Sequence, residues 1–175
     1  MTFFVTTFTL VSNIFFVLVV LVLSFDQKAR GFVYDLVSKY VLELIFLTSF
    51  GALVFSLWYS NVVNFPPCEL CWIQRIFMYP QVLLSYLAMR KKDLNMVFYL
   101  MPMTILGGLV SFYHSLVHWG FGTGLLACTA TDGECAKVYV LEYGYITIPF
   151  MALSSFIYLL TITLIYKRAR QNNGK

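Results

Sequence analysis

The sequence predicts an all-α integral membrane protein, a helical bundle of five transmembrane spans. The 175-residue chain is 60% apolar and 18% aromatic, and only 11% of its residues are charged, against roughly 25% in an average soluble domain. The charged residues form short islands between apolar runs of about 20 residues, the length that crosses a hydrocarbon core of roughly 30 Å.

The first apolar run, from about Phe3 to Phe25, contains no charged side chain. A signal peptide begins with basic residues and has an apolar core of only about 7 to 15 residues. This run is therefore predicted to be a retained span. The charged island from Asp26 to Tyr40 is expected to be a cytoplasmic loop. The predicted organisation is an extra span and loop at 1–40, followed by a four-helix domain at 41–175.

The four remaining spans are predicted at residues 41–63, 70–89, 94–119 and 146–166. In the fourth of these five spans, Gly107, Ser111 and Ser115 repeat every four residues. Such a stripe of small residues lets a neighbouring helix approach closely, so it predicts a helix-packing face.

The basic residues predict the orientation of the spans. Ten of the twelve fall on one side of the predicted membrane: Lys28, Arg30, Lys39, Arg90, Lys91, Lys92, Lys167, Arg168, Arg170 and Lys175. The positive-inside rule makes that side, with the C-terminus, cytoplasmic and places the N-terminus outside. The net charge of +4 therefore reflects membrane topology, and nucleic acid is excluded as a partner.

Two cysteine pairs fall on the predicted extracytoplasmic side. Cys68 and Cys71 begin the third span after Pro66 and Pro67. Two intervening residues place the sulfurs one helical turn apart, so they can form a disulfide or share a metal. A helix N-terminus and the cation of Arg75, four residues after Cys71, both favour a thiolate.

Cys128 and Cys135 lie in the longest polar connection, Gly120 to Tyr145, around a Thr131–Gly133 turn signal. Two pairs on an oxidising face suggest a relay, because disulfides move between pairs by thiolate attack. Two static disulfides, or one zinc site built from all four thiolates, are the alternatives. The extracytoplasmic placement favours disulfides over a metal, and no metal site is expected.

The segment from Cys68 to Pro80, together with Gly144 to Phe150, resembles the DsbB family of membrane thiol:quinone oxidoreductases, and most closely its BdbC-type branch. The similarity covers roughly Val41 to Tyr166. The first span lies outside it, and Gln74 stands where an acidic residue is common in the family.

The resemblance implies a bacterial cell-membrane enzyme that reoxidises an extracytoplasmic thioredoxin-fold, DsbA-like dithiol oxidase and passes the electrons to ubiquinone or menaquinone. By this analogy, Cys128 exchanges with the partner and Cys135 with Cys68. Cys71 is then the thiolate that faces the quinone, and Arg75 supports it.

Three further residues have both a functional and an ordinary interpretation. Arg75 is expected at the quinone, although an interfacial arginine can also extend to lipid headgroups. His114 and His118, four apart near the outer end of the fourth span, could contact the quinone or simply bond to their neighbours.

Two other functional classes compete with this hypothesis. One is a non-enzymatic membrane subunit with structural disulfides, which would tolerate loss of every cysteine. The other is an outward-directed thiol reductant, which needs redox cysteines reachable from the cytoplasm. The sequence places no cysteine there.

Overall fold

The computed structural model describes residues 2–121 and 138–173. The described chain forms five helices: α1 (Thr2–Phe25), α2 (Gln27–Asn61), α3 (Glu69–Lys91), α4 (Met96–His118) and α5 (Ile148–Asn173). All five predicted spans correspond to helices, which confirms the predicted helical membrane bundle.

Four of the described helices are long and apolar enough to cross a membrane, namely α1, α2, α4 and α5. The remaining helix, α3, has 23 residues, which extend over about 35 Å at 1.5 Å per residue. It is less apolar because it carries Gln74, Arg75 and Gln81 in addition to its basic C-terminal end.

The island expected to be a cytoplasmic loop is helical instead. Asp26 alone separates α1 from α2, and its side chain accepts a hydrogen bond from the Lys28 backbone N–H at 2.9 Å, which caps α2. Residues 27–39 then continue into the second span through a kink at Tyr40. The helix forms because Val37 and Val41 bury one of its faces in the core. The expectation of a loop at Asp26 to Tyr40 was therefore wrong.

Helices α2 to α5 form a four-helix bundle in which α2 and α4 each contact both α3 and α5. Its core includes Val41, Ile45, Leu100, Phe156 and Leu159. Helix α1 packs outside this bundle, against α2 and α5. Large apolar side chains cover much of the outer surface, as a lipid environment requires.

The small-residue stripe of α4 is a packing face, as predicted. Gly107, Ser111 and Ser115 are all buried. A Cβ placed on Gly107 would lie 2.4 Å from two ring atoms of Phe156 and 3.0 Å from the Cβ of Phe77. Glycine is therefore required where α5 approaches α4.

Candidate redox site

The cysteine pair stands where the connection between α2 and α3 enters α3. Cys68 is the N-cap residue, with extended backbone angles, and Cys71 lies in the first turn of the helix. The backbone N–H of Trp72 donates to the Cys68 carbonyl at 3.1 Å, closing that turn. The two sulfurs consequently lie 3.2 Å apart, within hydrogen-bonding distance of each other. The predicted pairing of Cys68 with Cys71 is thus sterically available.

His114 of α4 lies beside this cysteine pair. Its ring is buried, and Nε2 lies 3.7 Å from the Cys68 sulfur. Its other nitrogen, Nδ1, lies 3.0 Å from the Gln74 amide nitrogen. An amide nitrogen can only donate, so Nδ1 accepts and a neutral His114 carries its proton on Nε2. That N–H therefore points toward the sulfur.

The surroundings of Cys68 favour its ionised form. The hydrogen bond from the Cys71 thiol lowers the pKa of the Cys68 thiol, and His114 lowers it further, although burial opposes both effects. The helix N-terminus acts in the same direction. These contacts favour ionisation of Cys68 within the reduced pair. The thiolate that the resemblance implies at Cys71, facing the quinone, stays a prediction.

Arg75 is held by α2. Its Nε donates to the Ser56 hydroxyl at 3.0 Å, and Nη2 donates to the Ser56 carbonyl at 3.1 Å. The guanidinium carbon also lies 5.1 Å from the centre of the Trp72 ring. These contacts fix the cation between α2 and α3 beside the cysteine pair, so the side chain is not extended along the protein surface.

His118 completes the set of predicted site residues that the structure describes. Its ring meets the His114 ring edge to face, with the centroids 5.0 Å apart. The predictions from sequence missed Ser56 and the role of Gln74. Gln74 had one detectable signal, because it lies three residues after Cys71 and therefore on the same helix face. Nothing in the sequence links Ser56 to Arg75.

A cavity of about 460 Å³ opens beside these residues, within the size range of small-molecule sites. Cys68, Cys71, Arg75, His114 and His118 all line it. The rest of its wall is largely apolar and includes Phe8, Phe55, Met78, Pro149, Met151 and Phe156. A flat apolar ring could therefore lie next to the dithiol and a fixed cation.

The same residues include a candidate metal-ligand set. The donor atoms of Cys68, Cys71 and His114 all lie within 4.8 Å of one another. Two thiolates and an imidazole are ligands that zinc accepts. The set differs from the four-thiolate site considered from sequence. The expectation of no metal remains a prediction.

Cys128 and Cys135 lie outside the described residues. The chain that follows them returns to the site, because the Tyr139 ring stacks on Phe65 with centroids 5.0 Å apart. Phe65 in turn stacks on Tyr59, at 6.2 Å. The connection that carries the second pair therefore ends beside the one that carries the first.

Comparison with known proteins agrees with this arrangement. Residues 38–166 match the family described as disulfide bond formation protein DsbB. The SPbeta prophage-derived disulfide bond formation protein B of Bacillus subtilis (strain 168) is 38% identical over 116 residues, covering 66% of this chain and 77% of the relative. A probable disulfide formation protein of Oceanobacillus iheyensis is 41% identical over 129 residues, covering 73% of this chain and 89% of the relative.

The disulfide bond formation protein C of Bacillus subtilis (strain 168) is 39% identical over 118 residues, covering 66% of this chain and 84% of the relative. No solved structure matches the chain. The family match covers α3 and α4 in full, most of α2 and α5, and the cysteine pair at the start of α3. The chain therefore belongs to the DsbB family of membrane disulfide bond formation proteins, and within it to the BdbC type.

Proposed function

We propose that this protein is a thiol:quinone oxidoreductase that reoxidises an extracytoplasmic thioredoxin-fold dithiol oxidase of the DsbA-like class. The observation that carries the proposal is the position of the cysteine pair. The Cys68 and Cys71 sulfurs line a largely apolar cavity within a membrane bundle, together with the cation of Arg75. A lipid-soluble two-electron acceptor can occupy such a site, whereas a purely structural disulfide has no need of one.

The electrons pass through two dithiol–disulfide exchanges. The partner's two thiols reduce the Cys128–Cys135 disulfide and are themselves joined in a disulfide. The thiols of Cys128 and Cys135 then reduce the Cys68–Cys71 disulfide, and the Cys128–Cys135 disulfide forms again. Each exchange breaks one disulfide and forms another through a mixed disulfide, so thiols and electrons balance.

The last transfer regenerates the first pair. With Cys68 ionised, the reduced pair gives up two electrons and one proton as its disulfide forms. One quinone takes up the two electrons, that proton and a second proton from water, and becomes a quinol. The residues present fit such an acceptor. Apolar walls suit its ring, and Arg75 and His118 can face its oxygens. Ubiquinone and menaquinone both meet this requirement.

The distribution of basic residues supports the orientation that this route needs. Arg90 and Lys91 end α3, and the Arg170 guanidinium of α5 donates to the Asn95 side chain at 3.0 Å. These cations gather at the end of the bundle away from the start of α3. The positive-inside rule makes that end cytoplasmic and the cysteine end extracytoplasmic.

An anaerobic assay tests the proposal. The purified protein is mixed with a reduced thioredoxin-fold dithiol oxidase and a ubiquinone or menaquinone analogue, and quinone absorbance is followed alongside partner thiols. We expect one quinone to be consumed for each pair of thiols. Cys71→Ser should abolish the reaction, and Arg170→Ala, at the other end of the bundle, should leave it intact.

The opposite outcome would identify a different kind of protein. If no quinone is reduced with any partner and a cysteine-free variant folds normally, the chain is a structural membrane subunit. Quinone reduction that continues in Cys71→Ser would also overturn the proposed route.

A further inference from the structure

Helix α1 contributes to the cavity although it lies outside the family match, which begins at residue 38. Four of its side chains, Val5, Phe8, Thr9 and Ser12, line the same cavity as Cys71 and Arg75. The rings of Phe8 and Phe55 in α2 lie 6.1 Å apart. Without α1, the bundle of α2 to α5 would therefore lack part of the cavity wall.

Polar and aromatic contacts fix α1 in this position. The Thr6 hydroxyl donates to the Glu142 carboxylate, and the Thr7 hydroxyl lies 3.0 Å from the Tyr143 hydroxyl. Further along the helix, Tyr158 of α5 donates to the Asn13 side-chain oxygen. Because these hydrogen bonds lie at two points along α1, they fix the position of the helix against the bundle more precisely than apolar packing alone would.

Tyr59 of α2 is the polar side chain that this docking buries. It is 6% exposed and packs in one cluster with Val5 of α1 and with Val140. It also lines the cavity. Among the described residues, its hydroxyl has no hydrogen-bond partner. A buried hydroxyl without a partner is unfavourable, and tyrosine hydroxyls in protein interiors are usually bonded.

We propose that the Tyr59 hydroxyl donates a hydrogen bond to a carbonyl oxygen of the quinone, and that α1 closes the cavity over this contact. The inference rests on the quinone function proposed above and adds a binding residue to it. Tyr59 is then a ligand-binding group, and Val5 and Phe8 form the wall that keeps lipid chains away from it. A bound quinone supplies the acceptor that the hydroxyl lacks.

Two ligands of one shape separate hydrogen bonding from packing. Dimethylnaphthoquinone has both ring positions beside its carbonyls blocked, so it cannot add to thiols, and dimethylnaphthalene has the same rings without carbonyls. Binding of each is measured on the full-length oxidised protein in lipid nanodiscs. The variants are Tyr59→Phe and, as a matched control, Tyr99→Phe, which removes a hydroxyl from a side chain 72% exposed on the outer surface.

We expect Tyr59→Phe to weaken binding of dimethylnaphthoquinone about three- to tenfold, the usual range for one lost hydrogen bond. Binding of dimethylnaphthalene should be unchanged, and Tyr99→Phe should alter neither. Unchanged quinone binding in Tyr59→Phe, or equal loss for both ligands, would overturn the hydrogen bond while leaving the proposed function in place. Wild-type protein that binds no quinone would instead overturn the proposed function itself.

Discussion

The Gln74 amide nitrogen lies 3.0 Å from Nδ1 of His114, and both side chains are buried. This contact links α3 to α4, and it places the proton of a neutral imidazole on Nε2, the nitrogen that faces Cys68. Gln74 is therefore a positioning residue, which acts on the sulfur only through His114.

Replacing Gln74 with methionine should lower the stability of the protein. Methionine has a similar volume but no donor, so Nδ1 of His114 would be buried without its partner, at a cost of about 1 to 3 kcal/mol. Thermal unfolding in detergent measures the loss. Ile76→Met, on a side chain 62% exposed, is the control and should leave the unfolding temperature unchanged. Equal unfolding temperatures for the two variants would show that the contact contributes nothing.

Gln74→Glu tests the tautomer separately from stability. An ionised carboxylate only accepts hydrogen bonds, so Nδ1 would have to carry the proton. Nitrogen NMR shifts of the His114 ring should report a proton on Nε2 in the wild type and on Nδ1 in this variant. The same tautomer in both proteins would contradict the orientation inferred for the N–H that faces Cys68.

The environment of Cys68 predicts an unusual pH dependence. The hydrogen bond from Cys71 lowers the pKa of Cys68 to about 4, whereas an ordinary cysteine titrates near 8.5. The alkylation rate of Cys68 in the reduced protein should therefore stay nearly constant as the pH falls from about 8 to 6, because the thiolate persists. Peptide mass spectrometry after timed iodoacetamide treatment measures this rate.

The same lowered pKa has a consequence for stability. The contribution of ionised Cys68 to the free energy of unfolding is fully present above the unfolded pKa of about 8.5 and is lost as the pH falls through the folded value of about 4.

The Cys71→Ala variant is the control for the alkylation experiment. It removes the donor, so it should raise the pKa of Cys68 and restore the steep decline of alkylation below pH 8. A steep decline already present in the wild type would contradict the assignment of the thiolate.

The sequence predicted the elements of this fold better than their contacts. Apolar runs of membrane length predicted a span in each of the five helices, because a helix in lipid must be apolar along most of its length. The run is weakest in α3, which polar side chains interrupt. A loop was expected at 27–39 because the segment is rich in charged residues. These residues lie on the outer face of a helix, whereas Val37 faces the core. The helical spacing of the apolar residues indicated this helix, but the high proportion of charged residues favoured a loop.

In the candidate site, too, the sequence predicted the local groupings of residues better than the contacts between helices. Cys68, Cys71 and Arg75 stand close together in the sequence, so local spacing predicted that they share one end of α3. The pairing of Gln74 with His114 joins positions 40 residues apart, and that of Asn13 with Tyr158 joins positions 145 apart. Such contacts follow from how the helices pack, which the hydropathy of single spans does not specify.

Gly107→Ala should destabilise the bundle. The added methyl group would lie 2.4 Å from the Phe156 ring, so α4 and α5 would have to separate or the ring would have to turn. Overpacking of this kind typically costs about 1 to 3 kcal/mol. Gly108→Ala is a matched control in the next position, because its methyl group would lie 3.6 Å from the Cβ of Phe156, an ordinary contact. Thermal unfolding should therefore separate the two variants, and equal unfolding temperatures would show that this helix contact is not tight.

Arg75→Ala should impair quinone reduction and spare the thiol exchange that precedes it. The guanidinium is bound to Ser56 and lies beside the cavity, so on the proposed route its loss removes the positive charge next to the quinone while both cysteines remain. We expect kcat/KM for the quinone to fall by about 10- to 100-fold, corresponding to roughly 1.4 to 2.8 kcal/mol of transition-state stabilisation.

A single-turnover experiment separates the two steps. Without quinone, one equivalent of reduced partner should be oxidised at the wild-type rate by the Arg75→Ala variant, because that exchange needs only the cysteine pairs. Arg170→Ala, which removes a cation from the other end of the bundle, should leave both steps unchanged. If Arg75→Ala slows the partner exchange and leaves quinone kinetics intact, the cation serves the passage of electrons between the cysteine pairs and has no part in holding the acceptor.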